Sequence, residues 1–303
     1  MKIKNTAIIG MGALGLLYGE AIVKACGRQA LRYVMDKERC ARHKKDTYTI
    51  NGVKQDFILQ SAEEAEPVDL ILVATKYSGL AEAIREMEGL VGQDTVIFSV
   101  LNGITKEQEI IKRYGDKNIV YSVALGMDAV RSGTSLTYEH QGMLKIGIVD
   151  PKQQPALDAL SEFLTHIGIK YSVEKDIMHA LWAKLLLNVG INQTCMVYET
   201  DYGGALSGKE SRASMIGAMG EVVAVAQKEG INLTNADTLE SVRVISGLAP
   251  EGLPSMRQDA LAHRLSEVEL FAGTVCRLAA KHKISVPVNE YYYKKIKEME
   301  AAY

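Results

Sequence analysis

The chain has 303 residues, of which 47% are hydrophobic and 24% charged, and its formal net charge is −2. This length allows two domains of ordinary size, and the composition is typical of soluble globular proteins. The small net charge argues against nucleic acid or an anionic membrane as a partner, and no apolar stretch of the sequence is long enough to span a bilayer.

The first half of the chain alternates short β-rich runs with helical patterns, which indicates a parallel sheet with helices on its faces. Helices are predicted at 13–26 and 155–168. Strands are predicted at 6–9, 31–35, 69–74, 95–101, 119–124 and 170–173, with an antiparallel pair at 135–139 and 143–148.

After about residue 176 the strand signals almost vanish and helical periods dominate. Long helices are predicted at 176–195, 211–229, 238–248 and 255–281. The sequence therefore predicts an α/β fold class, in which an N-terminal Rossmann-type parallel-sheet domain is followed by an all-α C-terminal domain.

The segment Gly10-Met11-Gly12-Ala13-Leu14-Gly15 follows the first predicted strand and begins the first predicted helix. In this setting the first glycine permits a tight turn, the second lets the backbone approach a pyrophosphate, and the third allows close helix–strand packing. The helix N-terminus adds free N–H groups. A glycine-rich turn without a ligand is the alternative, but the agreement of strand, helix and position favours a dinucleotide site.

The cysteines are widely scattered and have neither CxxC nor metal-ligand spacing. They are Cys26, Cys40, Cys195 and Cys276. This usage predicts a reduced, cytoplasmic protein without structural disulfides or a metal site. Lys2 and Lys4 before the apolar run 7–17 imitate a signal peptide, but the glycines within the run favour the nucleotide loop.

The segment Asp36-Lys37-Glu38-Arg39 follows the second strand, where the adenosine ribose of a dinucleotide binds. An acidic residue at this point favours NAD, whereas a basic residue accommodates the extra phosphate of NADP. Asp36 comes first, but Lys37 and Arg39 follow at once. The residues alone therefore leave the choice between NAD and NADP open.

Two polar residues follow predicted strands. Lys76 comes after 69–74, and Asn102 comes after 95–101. Because ligands of open α/β sheets bind outside the carboxyl ends of the strands, both are candidate cofactor or substrate contacts. The alternatives are a solvated lysine at the sheet edge and an ordinary Asn-Gly turn at 102–103.

A polar stripe runs along the predicted helix 176–195. Steps of four residues place Lys184, Asn188 and Asn192 on nearly the same helical face among leucines. A lysine in a dry pocket can donate the proton that a ketone needs when it accepts a hydride, and asparagines can bind a hydroxyl or carboxylate. A snorkelling surface lysine with two solvated amides is the alternative.

A second constellation lies near the predicted helix at 255–281. Ser255 with Gln258 forms a capping-box pattern, and a helix N-terminus with a serine can also receive a carboxylate. Glu267 follows on the same predicted helix and is either a surface glutamate or a partner of Lys184.

In order and spacing these residues resemble the ketopantoate reductases (2-dehydropantoate 2-reductases) over nearly the whole chain. The resemblance rests on the glycine loop, Lys76, Asn102-Gly103, Trp182-x-Lys184-x-x-x-Asn188-x-x-x-Asn192, Ser255-Met256-x-Gln258-Asp259, Glu267 and Ile284-Ser285-Val286-Pro287-Val288-Asn289.

The resemblance implies a dinucleotide-binding Rossmann domain at 1–173, a helical substrate-binding and catalytic domain at 174–303, and an active site in the cleft. Lys184 would be the general acid, and Glu267 would orient it and contact the cofactor. The substrate would bind Asn102, Lys184, Asn188, Asn192 and Ser255. The cofactor would bind Gly10, Met11, Gly12, Ala13, Leu14, Gly15, Asp36, Lys76, Asn102, Ala129 and Glu267.

Two residues depart from the family pattern. The family's further substrate-binding asparagine, ten residues after Asn192, is Tyr202 here. The basic residue that usually ends the second strand and favours NADPH is Asp36. The first departure bears on which 2-keto acid is bound, and the second bears on the cofactor.

The main hypothesis is a cytoplasmic oxidoreductase that reduces 2-dehydropantoate to pantoate with NADPH, in pantothenate biosynthesis. Its partner would be a small-molecule 2-keto acid, and a homodimer is left open. A second hypothesis is an NAD-dependent D-2-hydroxyacid dehydrogenase that acts on another branched 2-keto acid. The third is a non-catalytic NAD(P)-sensing regulator, which would have no need of a proton donor beside a carboxylate clamp.

Overall fold

The first unit of the chain ends at Ile177 and carries every strand assigned within residues 2–303, which the computed structural model describes. Its strands are β1 (Thr6–Ile9), β2 (Leu31–Met35), β3 (Tyr48–Ile50), β4 (Val53–Gln55), β5 (Leu59–Ser61), β6 (Leu70–Val73), β7 (Val96–Ser99), β8 (Ile119–Leu125), β9 (Val130–Ser132), β10 (Ser135–Thr137), β11 (Met143–Gly147) and β12 (Tyr171–Val173). Its helices are α1 (Ala13–Cys26), α2 (Lys37–His43), α3 (Leu80–Glu86), α4 (Lys106–Tyr114) and α5 (Gln154–His166).

Eight strands form one large sheet in the order β12-β11-β8-β7-β6-β1-β2-β5. All are parallel except β11 and β12, because β11 pairs antiparallel with β8 and parallel with β12. The strand order reverses between β1 and β6, so the carboxyl ends of β1, β2, β6 and β7 share one edge of the sheet around a switch point. The predicted Rossmann-type sheet is confirmed.

Alternation along β6 explains why this sheet is buried on both faces. Leu70 and Leu72 belong to one apolar cluster, with α1 and α5, whereas Ile71 and Val73 belong to another, with α3 and α4. All four side chains are at most 1% exposed. A continuous apolar strand is thus the natural signature of a sheet that helices cover on both sides.

The predicted antiparallel pair at 135–139 and 143–148 is wrong. β10 pairs with β9 and β3 in a separate four-stranded sheet, ordered β4-β3-β10-β9, while β11 joins the large sheet beside β8. On β11, Leu144 and Ile146 are fully buried in the core of the large sheet. An isolated two-stranded hairpin offers no comparable burial, so the long-range pairing wins.

The second unit begins at Met178 and is entirely helical over its described residues. Its helices are α6 (Ile177–Val197, which starts one residue earlier), α7 (Tyr202–Ser207), α8 (Lys209–Lys228), α9 (Asn235–Ser246), α10 (Ser255–Leu261), α11 (Ala272–His282) and α12 (Pro287–Glu300). The predicted all-α C-terminal domain is confirmed. Within residues 2–303 no helix has both the length and the apolarity that a membrane crossing requires.

The single helix predicted at 255–281 is wrong, because the structure divides it into α10 and α11. His263 has a left-handed φ of 49°, and the N–H of Arg264 returns to Asp259 O at 2.9 Å. This geometry satisfies a carbonyl at the end of α10 and turns the chain away from the helix axis. Glu267 therefore lies in the connection between two helices.

Helix α6 is fixed in its unit by buried polar side chains. Gln193 Oε1 accepts from the N–H of Ala272 at the start of α11 at 3.0 Å, and Thr194 Oγ1 lies 2.6 Å from Tyr292 Oη on α12. Both α6 side chains are fully buried. Buried hydrogen bonds are costly to break, so they hold α6 in one rotational setting.

Candidate active site

The glycine loop between β1 and α1 is a close backbone crossing. Gly10 has a φ of +105°, and a Cβ there would lie 2.6 Å from Ala74 O, just beyond the end of β6. A Cβ at Gly15 would lie 2.0 Å from Gly10 O. The hydroxyl of Tyr33 on β2 donates to Gly15 O at 2.9 Å. Gly10 and Gly15 are therefore required by the packing of strand and helix.

Gly12 differs from these two glycines. It caps α1 with a φ of −73°, which any residue adopts, and a Cβ there would meet Ala74 O at 3.6 Å, an ordinary contact distance. The fold therefore does not need a glycine at this position. A group that approaches the N-terminus of α1 does need one, and the residues fit the pyrophosphate of a dinucleotide.

Asp36 lies where β2 passes into α2 and is partly tied down by the fold. Its Oδ1 accepts from Arg39 N at 2.8 Å and so caps α2, and its own N–H donates to Glu86 Oε1 at 2.9 Å. The Asp36 side chain stays 37% exposed. A carboxylate is thus presented at the carboxyl end of β2, where a ribose is expected.

Arg39 faces an excess of carboxylates. Its guanidinium nitrogens lie 3.6 Å from Asp36 Oδ2, 3.8 Å from Glu82 Oε2 and 3.6 Å from Glu86 Oε1. Burial raises the pKa of Glu86, and the N–H of Asp36 and the charge of Arg39 offset part of that rise. Lys37 Nζ lies 3.9 Å from Glu63. One guanidinium against three carboxylates leaves this end of the sheet acidic.

The other predicted cofactor contacts of this unit lie at several places around the sheet. Lys76 follows β6 and is exposed, and Asn102 follows β7 and is half-buried. Both take part in polar or charged interactions. Ala129 lies just before β9 and packs partly buried against the core of the large sheet. The cofactor contacts of these three residues stay predictions.

Lys184 lies on α6 in an apolar setting. Its neighbours Trp182, Leu185 and Leu186 are at most 3% exposed, while the lysine itself is half-buried. Burial disfavours the charged ammonium and lowers the pKa of Lys184 to about 8 from its ordinary value of 10.5. A lysine with this pKa can give up a proton near neutral pH.

The two asparagines of the stripe form a hydrogen-bonded chain with α10. Asn192 Nδ2 donates to Asn188 Oδ1 at 3.2 Å, and Asn192 Oδ1 accepts from Ser255 Oγ at 3.1 Å and from Met256 N at 3.4 Å. Asn188 and Asn192 are 4% and 6% exposed. The structure thus brings Ser255 to the two asparagines, of which the nearer in sequence, Asn192, is 63 positions away.

Ser255 does not act as the helix cap that the sequence pattern indicates. Pro254 is the N-cap residue of α10, within residues 2–303 no side chain caps the helix, and the hydroxyl of Ser255 donates a hydrogen bond to Asn192 Oδ1. Gln258 donates to Leu253 O. The serine is therefore part of the amide chain rather than of a capping box.

Glu267 lies in the connection after α10 and is half-buried. Its carbonyl accepts from Leu270 N at 2.9 Å and Phe271 N at 3.1 Å, and its side chain takes part in a polar or charged interaction. The neighbouring Ser266 is held by Glu300 through its N–H at 2.8 Å. The backbone around Glu267 is therefore well fixed, and its catalytic role stays a prediction.

Tyr202, the departure from the family pattern, begins α7. Its N–H donates to Gly252 O at 3.1 Å, and a Cβ at Gly252 would lie 2.9 Å from the Tyr202 ring. The ring therefore packs against the loop that leads into Ser255. Burial raises the pKa of Tyr202, which stays a neutral phenol at physiological pH.

Glu82 and Glu86 belong to this site and were not found from the sequence. They lie on α3, 43 or more residues from Arg39, and their spacing matches any solvated face of a helix. The sequence does not indicate a partner for Glu86, because its contact with Asp36 N depends on how α3 packs against β2.

The mostly parallel sheet, the glycine loop at its carboxyl edge and the helical second unit together define a two-domain, Rossmann-type oxidoreductase. The family model described as ketopantoate reductase PanE/ApbA matches residues 6–164, and the one described as its C terminal part matches residues 176–300. The chain therefore belongs to the ketopantoate reductase family.

Relatives of the chain are distant but match it over nearly its full length. The 2-dehydropantoate 2-reductase of Streptococcus pyogenes serotype M1 is 24% identical over 284 residues, which is 92% of each protein. A dimeric ketopantoate reductase from Staphylococcus aureus is 22% identical, with a TM-score of 0.80 over 98% of this chain and 99% of that one. D-mandelate dehydrogenase with NADH and anilino(oxo)acetate is 21% identical, with a TM-score of 0.88 over the same shares.

The different needs for glycine at positions 12 and 15 can be tested separately. Gly12→Ala should change the unfolding free energy by less than about 1 kcal/mol, but should weaken dinucleotide binding by more than about tenfold if the pyrophosphate lies there. Gly15→Ala should destabilise the protein by about 1–3 kcal/mol, because its Cβ meets backbone. Urea unfolding and calorimetric titration measure both. Undiminished binding by Gly12→Ala would contradict the assignment.

Proposed function

We propose that the chain is a nicotinamide-dependent 2-keto acid reductase in which Lys184 donates the proton. The observation that carries this proposal is the apolar setting of Lys184, on the same helix as the buried, hydrogen-bonded Asn188 and Asn192. Burial in this setting lowers the pKa of Lys184 to about 8. Residues 1–173 would bind the dinucleotide, and residues 174–303 would bind the substrate and transfer the proton.

The residues of the first unit fit a dinucleotide. A bound dihydronicotinamide would supply the hydride. The 10–15 loop would hold the pyrophosphate against the N-terminus of α1, and Asp36 would accept hydrogen bonds from the adenosine ribose. Lys76 and Asn102, at the carboxyl ends of β6 and β7, would hold the nicotinamide half. The space in front of Gly12 supports this arrangement.

The second unit would provide the proton and hold the keto acid. When the carbonyl carbon accepts a hydride, negative charge develops on its oxygen, and Lys184 Nζ gives that oxygen a proton and becomes a neutral amine. The product is the 2-hydroxy acid. Asn188, Asn192 and Ser255 would bind the carboxylate and the hydroxyl through hydrogen bonds. Glu267 would orient Lys184 and contact the cofactor.

The substrate that we propose first is 2-dehydropantoate, which would be reduced to pantoate in pantothenate biosynthesis. Membership of the ketopantoate reductase family supports it, as does the activity named for the Streptococcus pyogenes relative. A homodimer belongs to the same proposal, because the Staphylococcus aureus relative is dimeric.

For the hydride donor, the family resemblance favours NADPH, but the charges around Asp36 favour NADH. A 2′-phosphate would have to approach the carboxylates of Asp36, Glu82 and Glu86, which already share the guanidinium of Arg39. Like charges at close range are unfavourable. We therefore propose NADH as the preferred donor.

A second candidate function is an NAD-dependent D-2-hydroxyacid dehydrogenase that acts on another branched 2-keto acid. Two observations favour it. Tyr202 replaces the expected asparagine and packs its ring beside the loop before Ser255, and D-mandelate dehydrogenase with NADH has the same fold at a TM-score of 0.88.

The proposed function is tested by a matrix of initial rates, with NADH and NADPH against 2-dehydropantoate, phenylglyoxylate and other branched 2-keto acids. The first proposal expects the highest kcat/KM with 2-dehydropantoate and NADH. A higher value with an aryl or other branched 2-keto acid would favour the second candidate. Dinucleotide binding without oxidation of either donor by any keto acid would contradict both and favour a sensor.

Replacement of the proposed proton donor should separate catalysis from binding. Lys184→Ala should lower kcat by about 10²–10⁴-fold, whereas dinucleotide affinity should stay near that of the unaltered protein. Lys175→Ala, an exposed lysine of the first unit, is the matched control. Retained turnover in Lys184→Ala would refute the role of Lys184.

The pH dependence follows from the same pKa. Reduction needs the protonated amine, so its rate should fall as pH rises through about 8, whereas oxidation of the hydroxy acid should rise. The pKa is about 8 in the folded chain and 10.5 when unfolded, so the unfolded state binds the proton more tightly. As pH rises from about 8 to 10.5, the free energy of unfolding of the unaltered protein should therefore increase relative to that of Lys184→Met.

The acidic surroundings of Asp36 predict how cofactor choice will respond to substitution. Asp36→Ala removes the proposed ribose acceptor and one of the three carboxylates, so NADH binding should weaken about tenfold while NADPH binding strengthens. Glu38→Ala, in the first turn of the same helix but exposed and outside the cluster, removes the same charge. If Asp36→Ala and Glu38→Ala change the affinities for NADH and NADPH by the same factors, the effect comes from net charge, and the proposed contact of Asp36 with the ribose is contradicted.

A further inference from the structure

A buried ion pair lies directly after the Asn102 loop. Lys106 and Glu107 are the first two residues of α4, both are 1% exposed, and Lys106 Nζ lies 2.9 Å from Glu107 Oε1. Neither oxygen of Glu107 meets a donor at hydrogen-bonding geometry within residues 2–303. Burial of such a pair costs desolvation energy that its attraction rarely returns in full, so stability does not explain it.

The local environment does not favour a lysine here either. Lys106 is at the N-terminus of a helix, where the helix dipole repels a positive charge, and Glu107 in the same turn offsets that repulsion. Thr105 precedes the helix without a side-chain cap. The contacts that the ammonium makes must therefore account for its position.

Those contacts join the loop to the neighbouring strand. Lys106 Nζ donates to Ser122 O on β8 at 3.1 Å and to Gly103 O at 3.4 Å. Gly103 follows Asn102 directly and has a left-handed φ of 88°. Ser122 in turn donates to Ser99 O at the end of β7 at 2.6 Å. The ammonium thus connects the loop after β7, through Gly103 O, with the neighbouring strand β8, through Ser122 O.

The sheet topology places this loop in the half that would bind the nicotinamide in the proposed function. In a doubly wound sheet the two mononucleotide halves bind on either side of the switch point. The glycine loop and β2 lie on the adenosine side, and β6, β7 and β8 lie on the other. Asn102 therefore follows a strand of the second half, and Lys106 donates to the carbonyl of the next residue, Gly103.

We propose that Lys106, with Glu107 as its buried counter-ion, is a positioning residue that sets the Asn102-Gly103 backbone for the nicotinamide. This inference rests on the proposed function, because it requires that the loop meets a nicotinamide. It goes beyond that proposal because the position of the nicotinamide would depend on a buried ion pair and not only on residues that contact the cofactor or the substrate.

The test compares two ligands that differ in the nicotinamide. Lys106→Met/Glu107→Gln removes both charges and keeps the side-chain volumes. NADH binding should weaken about tenfold, the effect expected from the loss of a charge-assisted contact, while ADP-ribose binding stays within about twofold. The primary deuterium isotope effect on turnover with 4-deuterated NADH should rise, because a misplaced ring slows hydride transfer.

Two control variants separate positioning from simple packing. Lys112→Met/Glu109→Gln removes an exposed pair of the same types on the same helix, 2.8 Å apart, and should alter neither affinity. Glu107→Gln alone keeps the Lys106 contacts to Gly103 O and Ser122 O, so it should keep the ratio of NADH to ADP-ribose affinity. An unchanged ratio in Lys106→Met/Glu107→Gln, or equal losses for both ligands, would overturn the proposal.

If the double variant does not fold, Lys106→Arg decides, because it keeps the charge beside Glu107 but moves the donors away from Gly103 O and Ser122 O. Its NADH affinity should fall relative to its ADP-ribose affinity. A ratio equal to that of the unaltered protein would overturn the proposal. An unaltered protein that bound neither NADH nor NADPH would instead refute the proposed function.

Discussion

The packing of the second unit depends on polar side chains that one largely apolar helix, α6, carries into its interior. Desolvation of Lys184 lowers its pKa to about 8, and the same burial obliges Asn188 and Asn192 to find partners. They satisfy each other, and Asn192 also accepts from Ser255 and from the backbone of α10. Gln193 and Thr194 fix α6 against α11 and α12, so the stripe of Lys184, Asn188 and Asn192 has one orientation within the second unit.

In the first unit, close packing of backbone segments at glycines takes the place of buried polar side chains. Gly10 and Gly15 allow β1, α1 and the end of β6 to approach within contact distance, while Gly12 leaves the N-terminus of α1 open. The charged groups near β2 differ from those that follow β7. Acidic groups from β2 and α3 surround Arg39, and a single buried ion pair supports the loop that follows β7.

Much of this arrangement was predictable from local patterns. The bounds of β1, α1 and β2 agree with the predicted ranges, because Gly10 ends β1, Gly12 and Gly27 flank α1, and Asp36 caps the helix that follows β2. The pairing of β10 and β11 was not predictable, because two adjacent apolar runs around a glycine turn read as a hairpin, whereas burial against β8 and β3 decides their partners. The break at His263 was also missed, since its left-handed backbone carries no glycine to announce it.

The sequence by itself determined the family, the α/β and all-α division, the glycine loop and the i, i+4, i+8 spacing of Lys184, Asn188 and Asn192. These follow from short-range geometry, which a period or a motif records directly. Only the tertiary structure decided that Ser255 serves Asn192 rather than a helix cap, and that Glu86 faces Arg39. Contacts between residues 47 or more apart depend on how elements pack, and burial, not spacing, raises the pKa of Glu86.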